Sequence, residues 1–204
     1  MSSISVIDWV ITMVLIGVAW RFLASVEHSD QNATIEQSGL PLRTAPALLP
    51  ANTKPLDDQL DRVLGMADGV DRDQFLSGAK LAYEHIVSAF AAGDLVSVRN
   101  LLSEPVRTTF LAAITQRQER SETLSTLLVG FSSAEPVAAG LDRSNAWISV
   151  RFVVQLVSFL TDREGRITQG HPTNVVEITE IWTFERSILS KDPNWILVTT
   201  DGGA

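Results

Sequence analysis

Between residues 147 and 160 the chain sets Ile148, Val150, Phe152, Val154 and Leu156 at every second position, with Ser149, Arg151 and Gln155 between them. Successive side chains of a strand point to opposite faces, so this spacing builds one apolar and one polar face. It is the wrong period for an amphipathic helix. A strand with one wet face belongs in an antiparallel sheet whose other face must be covered. The rest of the chain is constrained by what can supply that cover.

Cover is available upstream. Phe75, Ala79, Ala82, Tyr83, Ile86, Val87 and Phe90 recur at helical spacing, and the run stops at Ala92 and Gly93, which predicts a helix of about five turns. Asp94 is an N-cap candidate for a second, short helix through Leu101 and Leu102. Ser103 and Pro105 open a third, with Val106, Phe110 and Ile114 facing inward and the polar residues 116–122 as its solvated end. Four strands are expected, at 124–135, 147–160, 174–186 and 195–200, with turns at Asp162 to Gly165 and Lys191 to Asn194. In the third of these, Val176, Ile178, Trp182 and Phe184 share a face with Glu180. Three helices followed by a four-stranded antiparallel meander define a segregated α+β fold, a cone whose curved sheet encloses a pocket.

The chain before residue 73 has a different character. Residues 4–24 are apolar except for Asp8 and Arg21, with Trp9 and Trp20 just inside those charges. As a helix this segment spans a hydrocarbon core of about 30 Å if the two charges reach opposite headgroup layers, and tryptophan favours that interface. A cleaved signal peptide is a competing reading, but residues 1–5 hold no Lys or Arg. A peripheral or buried helix is another. Arg21 closes the segment and no basic residue precedes it, so the positive-inside tendency places the C-terminal side in the cytoplasm. Residues 25–72 form a linker interrupted by Pro41, Pro46, Pro50 and Pro55, within which Leu56, Leu60, Val63 and Leu64 mark a short amphipathic helix near 56–64. Its acidic polar face favours docking on the domain over lying on anionic lipid. The expected organisation is therefore an anchor at 1–24, a linker at 25–72 and a domain at 73–204.

Several chemistries are disfavoured at this stage. With 24 Asp and Glu against 16 Lys and Arg, the net charge of -8 opposes binding to nucleic acid. The absence of cysteine removes disulfides and thiolate metal sites. His28, His85 and His171 are dispersed, so no metal site is expected, and no nucleotide-binding glycine loop or nucleophile elbow occurs.

The stretches FLSGAKLAYEHIVSAFAAGDL, LLSEPVRTTFLAAITQR, AWISVRF and WTFERSILSKDPNWILVTT, in that order, resemble the Tim44-like domain family over about 130 residues from Phe75 onward. The family takes its name from the motor-scaffold subunit of the mitochondrial inner-membrane presequence translocase, and its bacterial relatives carry the domain behind one membrane helix. The resemblance implies a cone similar to nuclear transport factor two, with no cofactor and no catalytic residues. It implies membrane lipids, membrane or translocation-complex proteins and a chaperone as partners, at the bacterial inner membrane or, as the second choice, on the matrix side of the mitochondrial one. The long basic N-terminal region of the mitochondrial member is missing here, so the membrane-proximal scaffold role is what carries over.

Three groups of residues are candidates for function. Tyr83, Glu180, Trp182, Phe184 and Trp195 line the expected pocket. There Glu180 and Tyr83 would serve as base and acid, or the aromatic rings would hold a lipid or small molecule, if the cone were an enzyme or carrier. The structural alternative pairs Glu180 with Arg151 across neighbouring strands and makes the rings core. Arg107, Arg117 and Arg120 on the third helix would meet lipid headgroups or an acidic partner, or form a solvated face. Trp9, Trp20 and Arg21 would hold the anchor in the membrane.

Overall fold

The computed structural model describes residues 56–67 and 70–202. The expected membrane span, with Trp9, Trp20 and Arg21, and the linker up to residue 55 lie outside the described residues. Among the described residues, no helix is long and apolar enough to cross a membrane.

Helix α1 (Leu56–Met66) buries Leu60, Val63 and Leu64 on one face and carries Asp57 and Asp58 in its first turn, where carboxylates offset the helix dipole. Helix α2 (Arg72–Ala92) begins with a reciprocal cap. The Asp71 carboxylate accepts from the Gln74 N–H at 2.8 Å while the Gln74 side chain accepts from the Asp71 N–H. It ends at Gly93, whose φ of 75° is the left-handed conformation that glycine adopts without strain. The next segment is a single 3-10 turn (Arg99–Leu101) where the sequence predicts a short α-helix. Helix α3 (Glu104–Glu119) follows, with Val106, Phe110 and Ile114 buried.

The sheet has five strands, not four: β1 (Thr123–Asp142), β2 (Asn145–Thr161), β3 (Ile167–Gly170), β4 (Val176–Ser187) and β5 (Ile196–Gly202). All pairings are antiparallel, in the order β1-β2-β4-β5, with β3 pairing the end of β2 beyond the reach of β4. The additional strand is a four-residue ITQG segment, too short to show a period. The first strand runs past the expected end at 135 through Pro136 and Gly140. Proline is tolerated because β1 is an edge strand and Pro136 sits at one of three register shifts along it. Those irregularities bend the strand and curl the sheet.

The expected boundary at residue 73 falls inside the packed body. Leu60, Val63 and Leu64 belong to the same buried cluster as Phe75, Tyr83, Phe152 and Phe184. Both α1 and α2 lie against β1, so the helix placed in the linker is a wall of the domain. Among the described residues the three α-helices are therefore α1, α2 and α3.

Candidate functional site

The residues expected to line one pocket divide between two places. Tyr83, Glu180 and Trp182 lie in the interior of the cone. Register fixes this: Glu180 and Trp182 pair with Phe152 and Val150 on β2, so their side chains fall on the apolar face, beneath α2. Tyr83 donates its hydroxyl to Glu180 Oε2 at 2.8 Å, and Trp182 donates its indole N–H to the same oxygen at 3.1 Å. Rings complete the packing, with Tyr83 at 4.4 Å from Trp182, 5.0 Å from Phe152 and 5.5 Å from Phe131. The expected pairing of Glu180 with Arg151 does not occur. Arg151 is exposed, opposite Ile181 on β4, one residue out of phase with the inward set.

Burial raises the Glu180 carboxyl to about 6, against the lowering effect of the hydrogen bonds from Tyr83 and Trp182. The phenol of Tyr83 is raised too, first by burial and then by the neighbouring carboxylate. A base and an acid are thus in contact, as an enzyme would require. The space beside them is a cavity of about 20 Å³, room for about one water molecule.

Phe184 and Trp195 belong to a separate cleft on the surface, about 220 Å³ in volume. One wall is the N-terminal half of α2, which presents Gln74, Phe75, Gly78 and Ala82 to it. The other wall comes from β4 and the turn before β5. Trp195 stands edge-on to Phe75 at 5.0 Å, and Phe75 meets Phe184 at 6.3 Å. The Trp195 indole N–H has no acceptor among the described residues. No residue in the lining is titratable.

The turn is held by Arg186, which is buried and donates to the Asp192 carbonyl at 3.0 Å and to the Ala67 carbonyl at 2.6 Å, at the end of α1. The Asp192 side chain accepts from the Asn194 N–H at 2.9 Å. Trp182, Thr183, Phe184 and Arg186 on one side of the hairpin and Asp192 to Trp195 on the other therefore form one device, in which the arginine ties the turn that carries Trp195. Gln74, Gly78 and Arg186 are not among the residues that sequence reasoning selects. A signal for the first two exists in the i, i+4, i+8 row of Gln74, Gly78 and Ala82 beside the apolar stripe of α2.

The three arginines of α3 do not form a patch. Arg107 pairs with Glu104 at 2.6 Å on the surface. Arg117 donates to the Phe90 and Ala91 carbonyls, both at 3.0 Å, closing the C-terminus of α2 while its guanidinium lies 5.4 Å from the Phe90 ring. Burial lowers its pKa, with Glu122 acting against that shift. Arg120 is the exposed C-cap residue of α3.

The model of the Tim44-like domain family matches residues 56–202, from the first residue of α1 to the last residue of β5. No match is found among the curated proteins. Among solved structures, the intermembrane space region of the chloroplast protein ARC6 aligns at 10% identity with a TM-score of 0.35, covering 71% of this chain and 94% of that one. So distant a likeness carries no argument.

Proposed function

The chain belongs to the Tim44-like domain family, and from that premise we infer that it is a non-enzymatic scaffold, tethered to the bacterial inner membrane by residues 4–24 and holding a protein partner at the cytoplasmic face. The observation that carries this reading is the contrast between the two spaces. The cleft that is open to a ligand is walled by apolar and neutral side chains. The carboxylate and phenol that a reaction would need sit instead beside space for about one water. An open cleft of apolar side chains edged by the neutral Gln74 and Asn194 suits a peptide segment better than a reacting small molecule. Lipids and a translocation-complex protein or chaperone are the partners that the family suggests, and nucleic acid is opposed by the net charge of -8. Tethering raises the effective concentration of the domain for membrane-bound partners.

Flotation of native membranes tests the anchor: the full chain rises with the lipid, and deletion of residues 1–24 releases a folded body into the soluble fraction. Crosslinking in the same membranes tests the scaffold. Attachment to a membrane protein, lost on replacing Gly78 with Leu, is the expected result. A full-length chain that stays in the soluble fraction while the lipid rises, or a purified body that turns over a small substrate, would overturn the reading. An extracted acyl lipid that protects the cleft would favour the alternative, a lipid or small-molecule carrier.

A further inference from the structure

We propose that the face of the sheet turned away from the helices carries, at one end, a surface on which a second copy of this chain docks face to face, about a two-fold axis that runs across the strands. Self-association does not depend on the membrane-scaffold reading, and only its consequence for partner binding rests on it.

The alternation of β2 defines this outer face. Phe152, Val154, Leu156 and Leu160 belong to the core cluster, whereas Val157 is buried without belonging to it and so lies on the other side of the sheet. Register places its neighbours: Leu127 stands opposite Val157, Phe159 opposite Ser125 and Gly170, and Ile167 opposite Thr161. Val175, one residue before β4, continues the row of Val157, because Val176 pairs with Leu156. Leu127, Val175 and Ile167 are 66%, 53% and 48% exposed. Further along the same face the side chains turn polar, with Arg151, Thr179, Ser149 and Thr183. Apolar exposure is thus gathered at one end, the pattern of a surface that a partner covers.

Charge at the two ends of the patch identifies the occupant. At one end Glu177, opposite Gln155, accepts from Ser132 at 2.6 Å and from Gln155 at 3.4 Å and meets no cation among the described residues. At the other end, in the β2–β3 turn, Arg166 is taken by Asp162 and Glu164 at 2.7 and 3.1 Å, which leaves Arg163 exposed with no acid partner among the described residues. A second copy turned over about an axis that crosses the strands at Phe159 brings the level of Gln155 onto the level of Arg163, on the same side of β2. Glu177 of each copy then faces Arg163 of the other. The same operation lays Val175 on Ile167 and Phe159 on its own counterpart, so the apolar residues meet as well. An anionic lipid surface is a poorer match, since Asp162, Glu164 and Glu177 outnumber Arg163 and Arg166 around the patch.

Size sets the strength of the contact. From Gln155 to Arg163 the patch is about 27 Å long and, at three strands, about 14 Å wide. It therefore covers about 400 Å² on each copy, against about 800 Å² per partner in a standard interface. A contact of that size is weak in dilute solution, and holding both copies in one membrane raises their effective concentration and populates it. The cleft between α2 and the β4–β5 turn is on the opposite face of the sheet and stays open in the pair. Two clefts held together grip a partner with two matching segments more tightly than either does alone.

The chain has no cysteine, so single introduced cysteines report the pairing without background. In the full chain in detergent at about 0.3 mM, where a weak dimer is populated, a short bismaleimide should link Phe159→Cys to itself. It should link Val175→Cys with Ile167→Cys in a mixture of the two variants severalfold more than it links either to itself, and leave Arg151→Cys, at the polar end, unlinked. Sedimentation over a range of concentrations gives the second readout. Glu177→Arg and Arg163→Glu each replace two attractive pairs by two repulsive ones and should weaken self-association about tenfold, while the double variant recovers to within about twofold of the wild type. Both positions are exposed, so melting stays native throughout. A chain that remains monomeric, links that ignore position, or a double variant as weak as the single ones would overturn the proposal. Reversals that leave self-association unchanged, whether the contact lies in residues 4–24 or the patch meets vesicles of phosphatidylglycerol instead, would overturn it as well.

Discussion

The interior of the cone and the cleft at its side are built from the same two elements, α2 and β4, yet one is filled and the other is open. Where α2 presents Tyr83, the ring meets Trp182, Phe152 and Phe131, and the remaining space is about 20 Å³. About one turn earlier the same helix presents Gly78 and Ala79, with Ala82 on the flank next to Tyr83, and about 220 Å³ stays open. The strand side does not differ in kind, since Trp182 and Phe184 are adjacent inward positions on β4 and both are buried. The difference lies in side-chain volume on the helix. A few small residues on an otherwise large apolar face suffice to turn part of a core into a binding surface.

The largest expected effect comes from emptying the filled side. Trp182→Ala removes a ring that touches Tyr83, Phe152 and Phe184, and it strips one donor from Glu180. It should cost about 3–5 kcal/mol in urea unfolding of the 56–202 body. Trp195→Ala, in the wall of the open side, should cost less than half as much, because that ring is already partly exposed. Equal losses would erase the distinction between core and cleft.

Next in size is a pH effect confined to the interior. Glu180 titrates at about 6 in the fold against an ordinary 4.5. The fold thus favours the protonated carboxyl: the contribution of this group is complete below pH 4.5 and is lost as pH rises through 6. Over that window the loss is about 2 kcal/mol. Glu180→Gln keeps an acceptor for Tyr83 and Trp182 and should make stability flatter between pH 4.5 and 7 by that amount. A variant with the same pH profile as the wild type would mean that water reaches the carboxylate and that the interior is not closed.

How much of this arrangement is legible in the sequence follows the range of the interactions. Period and capping are local, so α2, α3, β2 and β4 lie close to where the pattern of Phe75 to Phe90 and of Ile148 to Leu156 puts them. The stretch WTFERSILSKDPNWILVTT is visible as a string, but the hydrogen bond from Arg186 to the Asp192 carbonyl that folds it back on itself is not. Nor is the place of α1. Its Leu60, Val63 and Leu64 stripe announces a helix, whereas the choice between linker and wall depends on β1, more than fifty residues away. Glu180 is legible as an inward residue from its position between Ile178 and Trp182. Its partner is not, because Tyr83 reaches it across the sheet–helix interface and Arg151 is nearer in the strand pattern. The division of the five expected pocket residues into a knot and a cleft depends on volumes, which a sequence pattern does not sum.

The smallest effect is also the most direct probe of that volume. Gly78 is an exposed position within α2, and glycine inside a helix costs about 1 kcal/mol relative to alanine through the backbone freedom it gives up. Its added Cβ would have nothing within 4 Å. Gly78→Ala should therefore raise the urea midpoint by about 1 kcal/mol equivalent with an unchanged m-value. If the cleft were closed in the isolated body, the new methyl would press on the opposite wall and the midpoint would fall. The sign of this one change thus reports whether α2 and the β4–β5 turn stand apart when nothing lies between them.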